Sequence, residues 1–264
     1  AWCAAHGHSA WMAPADAALL DLADLAGDDP AASADLVLSL GGDGTMLRAV
    51  GMLAGAQVPL LGVNHGRLGY LTEVEVDQMA DSLERFVAGP EQGNWHLDRR
   101  MMLDVEVHDG ENREIGRRFA LNEAVVEKRT AGQTVDLQVL IDGAPFTSYA
   151  ADGLIVSTPT GSTAYSFSAR GPVVSPKHRA VLVTPVAPHM LFDRSLVLDP
   201  SEVVEVTVRG ERLASVVVDG QPLCELAAGA TVRCRPSAST ADFVRFRGRL
   251  YHQVLKAKFG LTDR

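Results

Sequence analysis

Residues 36–50 read LVLSLGGDGTMLRAV, an apolar run followed by a glycine-rich turn and a helix-forming segment. The pattern predicts a strand at residues 36–40 and a short helix at residues 45–53. Glycines let a backbone approach a ligand closely, and the free N–H groups at a helix start attract anions. Asp43 stands among these donors, where a carboxylate would repel phosphate unless it holds a metal ion or accepts a proton from a hydroxyl. The turn therefore points to phosphoryl transfer, although by itself it could be only a tight loop.

A second glycine-containing turn, residues 64–71, follows another apolar run at residues 58–63. The βαβ spacing of these segments predicts a parallel sheet, in which the carboxyl ends of neighbouring strands meet at one edge. We therefore expect the two turns to wall one pocket. The opening residues 1–7 favour a helix, so we expect the first strand of this α/β domain to precede them.

The rest of the chain changes character near Gly93. Apolar residues at helical spacing predict a helix over residues 76–87 that Gly89 and Pro90 stop. From residue 100 to 246, short β-branched runs alternate with turn signals such as Asp142-Gly143 and Asp219-Gly220. We predict an α/β domain with a parallel sheet at residues 1–95 and a mostly β domain at 96–246. A C-terminal helical segment at 247–264 is expected to return to the first domain.

Composition narrows the class of protein. The chain has 264 residues, 47% of them hydrophobic, and a net charge of -9, which argues against a non-specific nucleic-acid binder. Its three cysteines form no Cys-x-x-Cys pair, so we expect neither a disulfide framework nor a zinc site, and a reducing, cytoplasmic location. No apolar run approaches the roughly 18 residues that span a bilayer, and no signal peptide is visible.

The densest polar block is ADGLIVSTPTGSTAYSFS at residues 151–168. Its serines and threonines around one proline and one glycine suit a ligand rich in phosphates and ribose hydroxyls, and Tyr165 offers a ring for a base. A hydroxyl-capped helix start is the alternative.

Together these motifs resemble the NAD kinase family, in its bacterial ATP- or polyphosphate-dependent form. The Gly41–Thr45 turn is shared with diacylglycerol and sphingosine kinases, whereas the TPTGSTAY run at 158–165 together with Asn122-Glu123 is specific. The remaining blocks lie at residues 64–74, 184–189 and 219–221.

The resemblance implies transfer of a phosphoryl group to the 2′-hydroxyl of the adenosine ribose of NAD, giving NADP. Asp43 would be the general base or would orient the hydroxyl, Gly44 would border the diphosphate, and Arg48 would supply positive charge. As Arg48 lies one turn into a helix, it could instead be a solvated surface residue. The positions implied for NAD binding are Asp43, Gly44, Arg48, Asn122, Glu123, Asp152, Thr163, Ala164, Tyr165, Ser166, Ser168, Ala187 and Gln221.

The family also implies Mg²⁺, held mainly through nucleotide phosphates, and a homodimer or homotetramer. The histidines show no ligand spacing, so we predict no protein metal site. Two departures stand out: Arg170 replaces a family glycine, and Tyr70 replaces a phenylalanine. The alternatives are a lipid kinase, which the net charge disfavours, and a non-catalytic dinucleotide-binding module, which Arg170 and the expected missing strand would suit.

Overall fold

The computed structural model describes residues 2–66, 69–246 and 251–261. Its helices are α1 (Trp2–Ala5), α2 (Pro14–Leu19), α3 (Asp43–Leu53), α4 (Met79–Val87), α5 (Gly89–Gln92), α6 (Tyr165–Ser168) and α7 (Tyr251–Lys258). Its strands are β1 (Val37–Gly41), β2 (Leu60–Asn64), β3 (Val74–Glu75), β4 (Trp95–His108), β5 (Glu114–Ala120), β6 (Glu123–Lys128), β7 (Val135–Ile141), β8 (Ala144–Ala151), β9 (Gly153–Ser157), β10 (Val181–Val186), β11 (Leu196–Leu198), β12 (Val204–Arg209), β13 (Ala214–Val218), β14 (Gln221–Leu226) and β15 (Thr231–Phe246). Short 3-10 turns lie at Ala23–Leu25, Ala31–Ser33, Val76–Gln78 and Gly161–Thr163.

Close contacts divide the chain into two units. One comprises the residues up to 97 together with those from 243 onward, and the other comprises residues 98–242. The first is α/β and the second mostly β, so the predicted fold class is confirmed. The C-terminal helix α7 belongs to the first unit, as the sequence predicted.

The first unit is organised around parallel strands. β1 pairs with β2 in parallel, with Gly41 level with Asn64, and β2 pairs in parallel with β3. The end of β15 joins β2 at Phe243. Leu61, Val63, Val74, Val244 and Phe246 form a core on this sheet, because every residue of β2 is buried and its whole run is apolar or small apart from Asn64.

The second unit packs antiparallel strands around one large core. One of its sheets runs β11-β10-β9-β6-β13-β14, while β15, β12, β7 and β8 pair antiparallel in the other. The predicted turns Asp142-Gly143 and Asp219-Gly220 each join adjacent strands, and all four residues have positive φ. Positive φ at both central positions is what a type I′ hairpin turn requires, which explains the Asp-Gly pairs.

The helix predicted over residues 76–87 stops before Gly89 and Pro90 as expected, since α4 ends at Val87, although it begins only at Met79. Gly89 and Pro90 then begin the short helix α5, which the sequence did not predict. Proline is tolerated in the first turn of a helix, since the N–H it lacks would have no partner within the helix.

Candidate functional site

The glycine-rich turn connects β1 directly to α3. Gly41 ends the strand with φ 151°, and a Cβ there would collide with the hydroxyl of Thr45. Gly42 precedes the helix, and Asp43 and Gly44 occupy its first turn. An acidic side chain in a first helical turn is favoured by the helix dipole. Glycine is therefore required at Gly41 by the close approach of Thr45, and Asp43 sits where the dipole suits a carboxylate.

The second turn holds the carboxylate of Asp43. The N–H of Tyr70 donates to Oδ2 at 2.9 Å, and the N–H of Leu71 donates to Oδ1 at 2.9 Å. A Cβ on Gly69 would collide with Asp43 Oδ1, so only glycine allows this approach. The N–H of His65 also donates to the carbonyl of Gly41 at 3.3 Å, which ties the two turns together at the sheet edge. Arg67 and Leu68 lie outside the described residues.

A lysine from the C-terminal helix completes the surroundings of Asp43. Lys258 Nζ lies 3.3 Å from Asp43 Oδ2 and 4.1 Å from the centre of the Tyr70 ring. The side chains of Lys258 and Asp43 are 29% and 31% exposed, so the pair is open to solvent on one side. Sequence reasoning did not find Lys258, because it lies 215 residues from Asp43 and no spacing signal links them.

Arg48 does not join this group. Its guanidinium forms an ion pair with Asp16, and its side chain is 55% exposed. In the described structure Arg48 therefore pairs with Asp16 on a solvent-exposed face of α3.

In the second unit, Asp219 organises the Asn122-Glu123 pair. Its Oδ2 accepts the N–H of Leu121 at 2.7 Å, and its Oδ1 accepts the N–H groups of Asn122 and Glu123 at 2.8 and 3.0 Å. Burial raises the pKa of Asp219, an effect that these three backbone donors oppose. The sequence placed Asp219 in a turn block but gave it no role.

Glu123 is a second buried carboxyl group of this region. Burial and the nearby Asp219 raise the pKa of Glu123 to about 8, against an opposing hydrogen bond from the backbone of Tyr165. Its Oε2 is buried and has no hydrogen-bond partner among the described residues. At neutral pH this carboxyl group therefore favours its protonated form, which can donate as well as accept a hydrogen bond.

The hydroxyl-rich block packs directly on the Asn122-Glu123 turn. The Thr158 N–H donates to the Asn122 carbonyl at 2.9 Å, and the Thr158 hydroxyl donates to the Leu121 carbonyl at 2.5 Å. Gly161 lies so close to the Asn122 carbonyl that a Cβ would collide with it. The structure thus places Asn122 and Glu123 against the hydroxyl-rich block, and the backbone of Tyr165 donates a hydrogen bond to Glu123.

The other predicted positions of this unit divide into engaged and exposed residues. Ser166 is fully buried, and its hydroxyl lies 3.1 Å from that of Thr184. Asp152 pairs with Lys128 Nζ at 2.6 Å, and its N–H donates to the carbonyl of Val186, next to Ala187. The Thr163 hydroxyl lies 3.4 Å from the Thr160 carbonyl, and Ala164 is half-buried. The side chains left exposed are those of Tyr165, Ser168, Ala187 and Gln221.

The departure at Arg170 keeps a glycine-like backbone. Its φ is 67°, its N–H donates to the Phe167 carbonyl at 3.0 Å, and it is exposed. A left-handed conformation costs a non-glycine residue about 1–2 kcal/mol, so the fold tolerates arginine here at a local cost.

Within residues 2–66, 69–246 and 251–261, no group of three or more His, Cys, Asp or Glu side chains could hold a metal ion. In that same part of the chain, no helix is both long and apolar enough to cross a bilayer.

Two models of known protein domains match most of the chain. The model of the ATP-NAD kinase N-terminal domain matches residues 7–91, and that of the ATP-NAD kinase C-terminal domain matches residues 121–246. An NAD kinase from Gemmatimonas aurantiaca is 42% identical over 86% of this chain and 77% of its own length. One from Geobacter sulfurreducens is 40% identical over 88% of this chain and 80% of its own.

Two solved structures of NAD or NADH kinases resemble the fold of this chain. The yeast NADH kinase complexed with NADH superposes with a TM-score of 0.80 at 26% identity, over 87% of this chain and 68% of that one. An NAD kinase from Archaeoglobus fulgidus in complex with ATP gives 0.71 at 27% identity, over 94% of both chains. Sequence motifs, both domain models, curated relatives and fold all agree: the chain belongs to the NAD kinase family.

Proposed function

We propose that this chain transfers the terminal phosphoryl group of ATP to the 2′-hydroxyl of the adenosine ribose of NAD, with Asp43 meeting that hydroxyl. The observation that carries the proposal is the fixed carboxylate of Asp43, held by the N–H groups of Tyr70 and Leu71 at the carboxyl edge of a parallel sheet. Ligands of open α/β sheets bind at this edge. One solved relative is an NADH kinase with NADH bound and another is an NAD kinase with ATP bound, which supports this pair of substrates.

The fixed carboxylate of Asp43 is suited to positioning the 2′-hydroxyl for the transfer. In the transfer, the bond from the 2′-oxygen to phosphorus forms as the bond to the leaving phosphate breaks, and the hydroxyl proton passes to Asp43. A loose phosphoryl-transfer transition state demands alignment more than strong deprotonation. A carboxylate fixed by two backbone donors provides that alignment at little entropic cost.

We further propose the residues of the second unit that contact NAD. The protonated carboxyl of Glu123 and the amide of Asn122 suit an adenosine edge rich in donors and acceptors, and the exposed ring of Tyr165 suits stacking on a base. With the three positions of the first unit, the full proposed set is Asp43, Gly44, Arg48, Asn122, Glu123, Asp152, Thr163, Ala164, Tyr165, Ser166, Ser168, Ala187 and Gln221.

Mg²⁺ and inorganic polyphosphate complete the proposed reactants. The described residues form no cage for a divalent ion, and both oxygens of Asp43 already accept backbone donors. The ion would therefore be held by the donor's phosphates. We also propose a homodimer or homotetramer in the cytoplasm. The three free cysteines accord with a reducing compartment.

The test is NADP formation from NAD, Mg²⁺ and either ATP or polyphosphate. We expect Asp43→Asn to lower kcat by roughly 10²–10⁴-fold, the contribution typical of a positioned proton acceptor. Asp81→Asn is the matched control, since Asp81 is an exposed acid in the first turn of α4. Circular dichroism must show both variants folded, and full activity of Asp43→Asn would remove this residue from the mechanism.

A wild-type protein that binds NAD by calorimetry but makes no NADP with either donor would instead support a non-catalytic dinucleotide-binding module.

A further inference from the structure

Lys258 is placed beside the reacting group by the C-terminal helix. Its ammonium lies 3.3 Å from Asp43 Oδ2 and 4.1 Å from the Tyr70 ring centre, so two separate contacts fix its position. The same Tyr70 gives its N–H to Asp43 Oδ2. Lysine, carboxylate and ring therefore form one cluster built from α7, the α3 start and the second turn.

The ammonium is not needed to satisfy Asp43. Each carboxylate oxygen already accepts a backbone N–H at 2.9 Å. An exposed ion pair typically contributes only about 0–1 kcal/mol, so stability alone gives little reason for a lysine at this place. The position of Lys258 beside the carboxylate that is proposed to meet the 2′-hydroxyl instead favours a role in the reaction.

Burial, together with the neighbouring Tyr251 and Asp43, raises the pKa of Tyr70, so its phenol stays neutral at working pH. A neutral ring face attracts a cation, which restrains the flexible lysine side chain. Lys258 also lies in the last turn of α7, where the helix dipole favours positive charge. These contacts hold the ammonium in place before any substrate arrives.

We propose that Lys258 is a catalytic residue that donates hydrogen bonds to the phosphoryl group in transit, while Asp43 takes the hydroxyl proton. The inference rests on the proposed function. An ammonium has three N–H bonds, and the contact with Asp43 uses one of them. The others can reach the equatorial oxygens of the phosphoryl group, where negative charge is spread in the transition state.

The experiment compares Lys258→Met, Lys258→Arg and a control, Lys256→Met, which removes a charge from the same helix. We expect Lys258→Met to lower kcat about 10²–10³-fold, the usual loss of one preorganised donor, with KM for NAD changed less than about threefold. Lys258→Arg should recover part of kcat, because it restores the charge. Lys256→Met should stay within about twofold of wild type on the same scale.

A second measurement separates charge from helix docking. Ethylammonium added to Lys258→Ala should restore part of kcat, which a purely structural role of the lysine would not produce. Lys258→Gln replaces the methionine variant if that one fails to fold. An active wild type alongside a Lys258→Met variant with unchanged kcat would overturn this inference alone. A wild type inactive with both donors would overturn the proposed function as well.

Discussion

At the scale of single residues, Gly69 controls the geometry of Asp43. It allows the following two N–H groups to reach the carboxylate, since a side chain at this position would occupy the space of Asp43 Oδ1. Glycine is thus required at this position by its contact with Asp43, which lies 26 residues earlier in the chain, and not by the conformation of its own turn.

Gly69→Ala should displace the Asp43 carboxylate. We expect kcat to fall roughly 10–100-fold, because a misplacement near 1 Å in an active site costs about that much. The matched control is Gly51→Ala, since Gly51 lies within α3 and a Cβ there meets nothing within 4 Å. That variant should keep its kcat and gain about 0.5–1 kcal/mol in stability. Steady-state kinetics measure kcat and denaturant unfolding measures stability for both variants. An unaltered kcat in Gly69→Ala would contradict the role of Gly69 in positioning the Asp43 carboxylate.

Glu123 should make stability fall as pH rises. Its pKa is raised from 4.5 to about 8, so between these values the folded state holds a proton that the unfolded state has lost. Stability from this group is complete below about pH 4.5, declines by up to about 1.4 kcal/mol per pH unit across the window, and is flat above pH 8.

Glu123→Gln removes this titration, so urea unfolding at several pH values should show a flatter profile than wild type. The gain over wild type should be largest at pH 8 and above. Asp219 is present in both proteins, and the difference between their profiles reports Glu123 together with its electrostatic interaction with Asp219. Parallel profiles would show that Glu123 ionises normally.

At the scale of elements, the local sequence pattern predicted whether a segment is a strand or a helix more accurately than it predicted the first and last residues. The strand predicted at residues 36–40 is found at Val37–Gly41, and the helix predicted from residue 45 already begins at Asp43. Both shifts bring the glycine turn into regular structure, because its N–H and C=O groups find partners in the sheet and the helix. The Asp-Gly hairpins were predictable since their backbone requirement is local.

The hairpin at Asp219 shows what an element adds beyond its own turn. Its backbone requirement explains Asp219 and Gly220 as turn residues, yet the Asp219 side chain also gathers three N–H groups of residues 121–123. A turn residue of one hairpin thereby shapes the start of β6, which carries Glu123. Sequence reading found both blocks but not their connection.

At the scale of the whole molecule, the large core of the second unit supports its sheets. Leu137 of β7 is fully buried there, whereas Leu140 of the same strand is only half-buried. Leu137→Ala should lower the free energy of unfolding by about 2–5 kcal/mol, the cost of a core cavity, and Leu140→Ala by less than half as much. Denaturant unfolding compares the two, and equal losses would argue against the position of the core.

The sequence by itself determined the fold class, the family and the candidate acid Asp43. These depend on strand and helix periodicity, on turn residues with special backbone needs, and on motif blocks such as residues 158–165, all of which are local. Only the tertiary structure decided that Tyr70 and Leu71 hold Asp43, that Lys258 stands beside it, and that Glu123 binds its proton tightly. Those properties arise from burial and from contacts through space between residues far apart in sequence, which no spacing along the chain encodes.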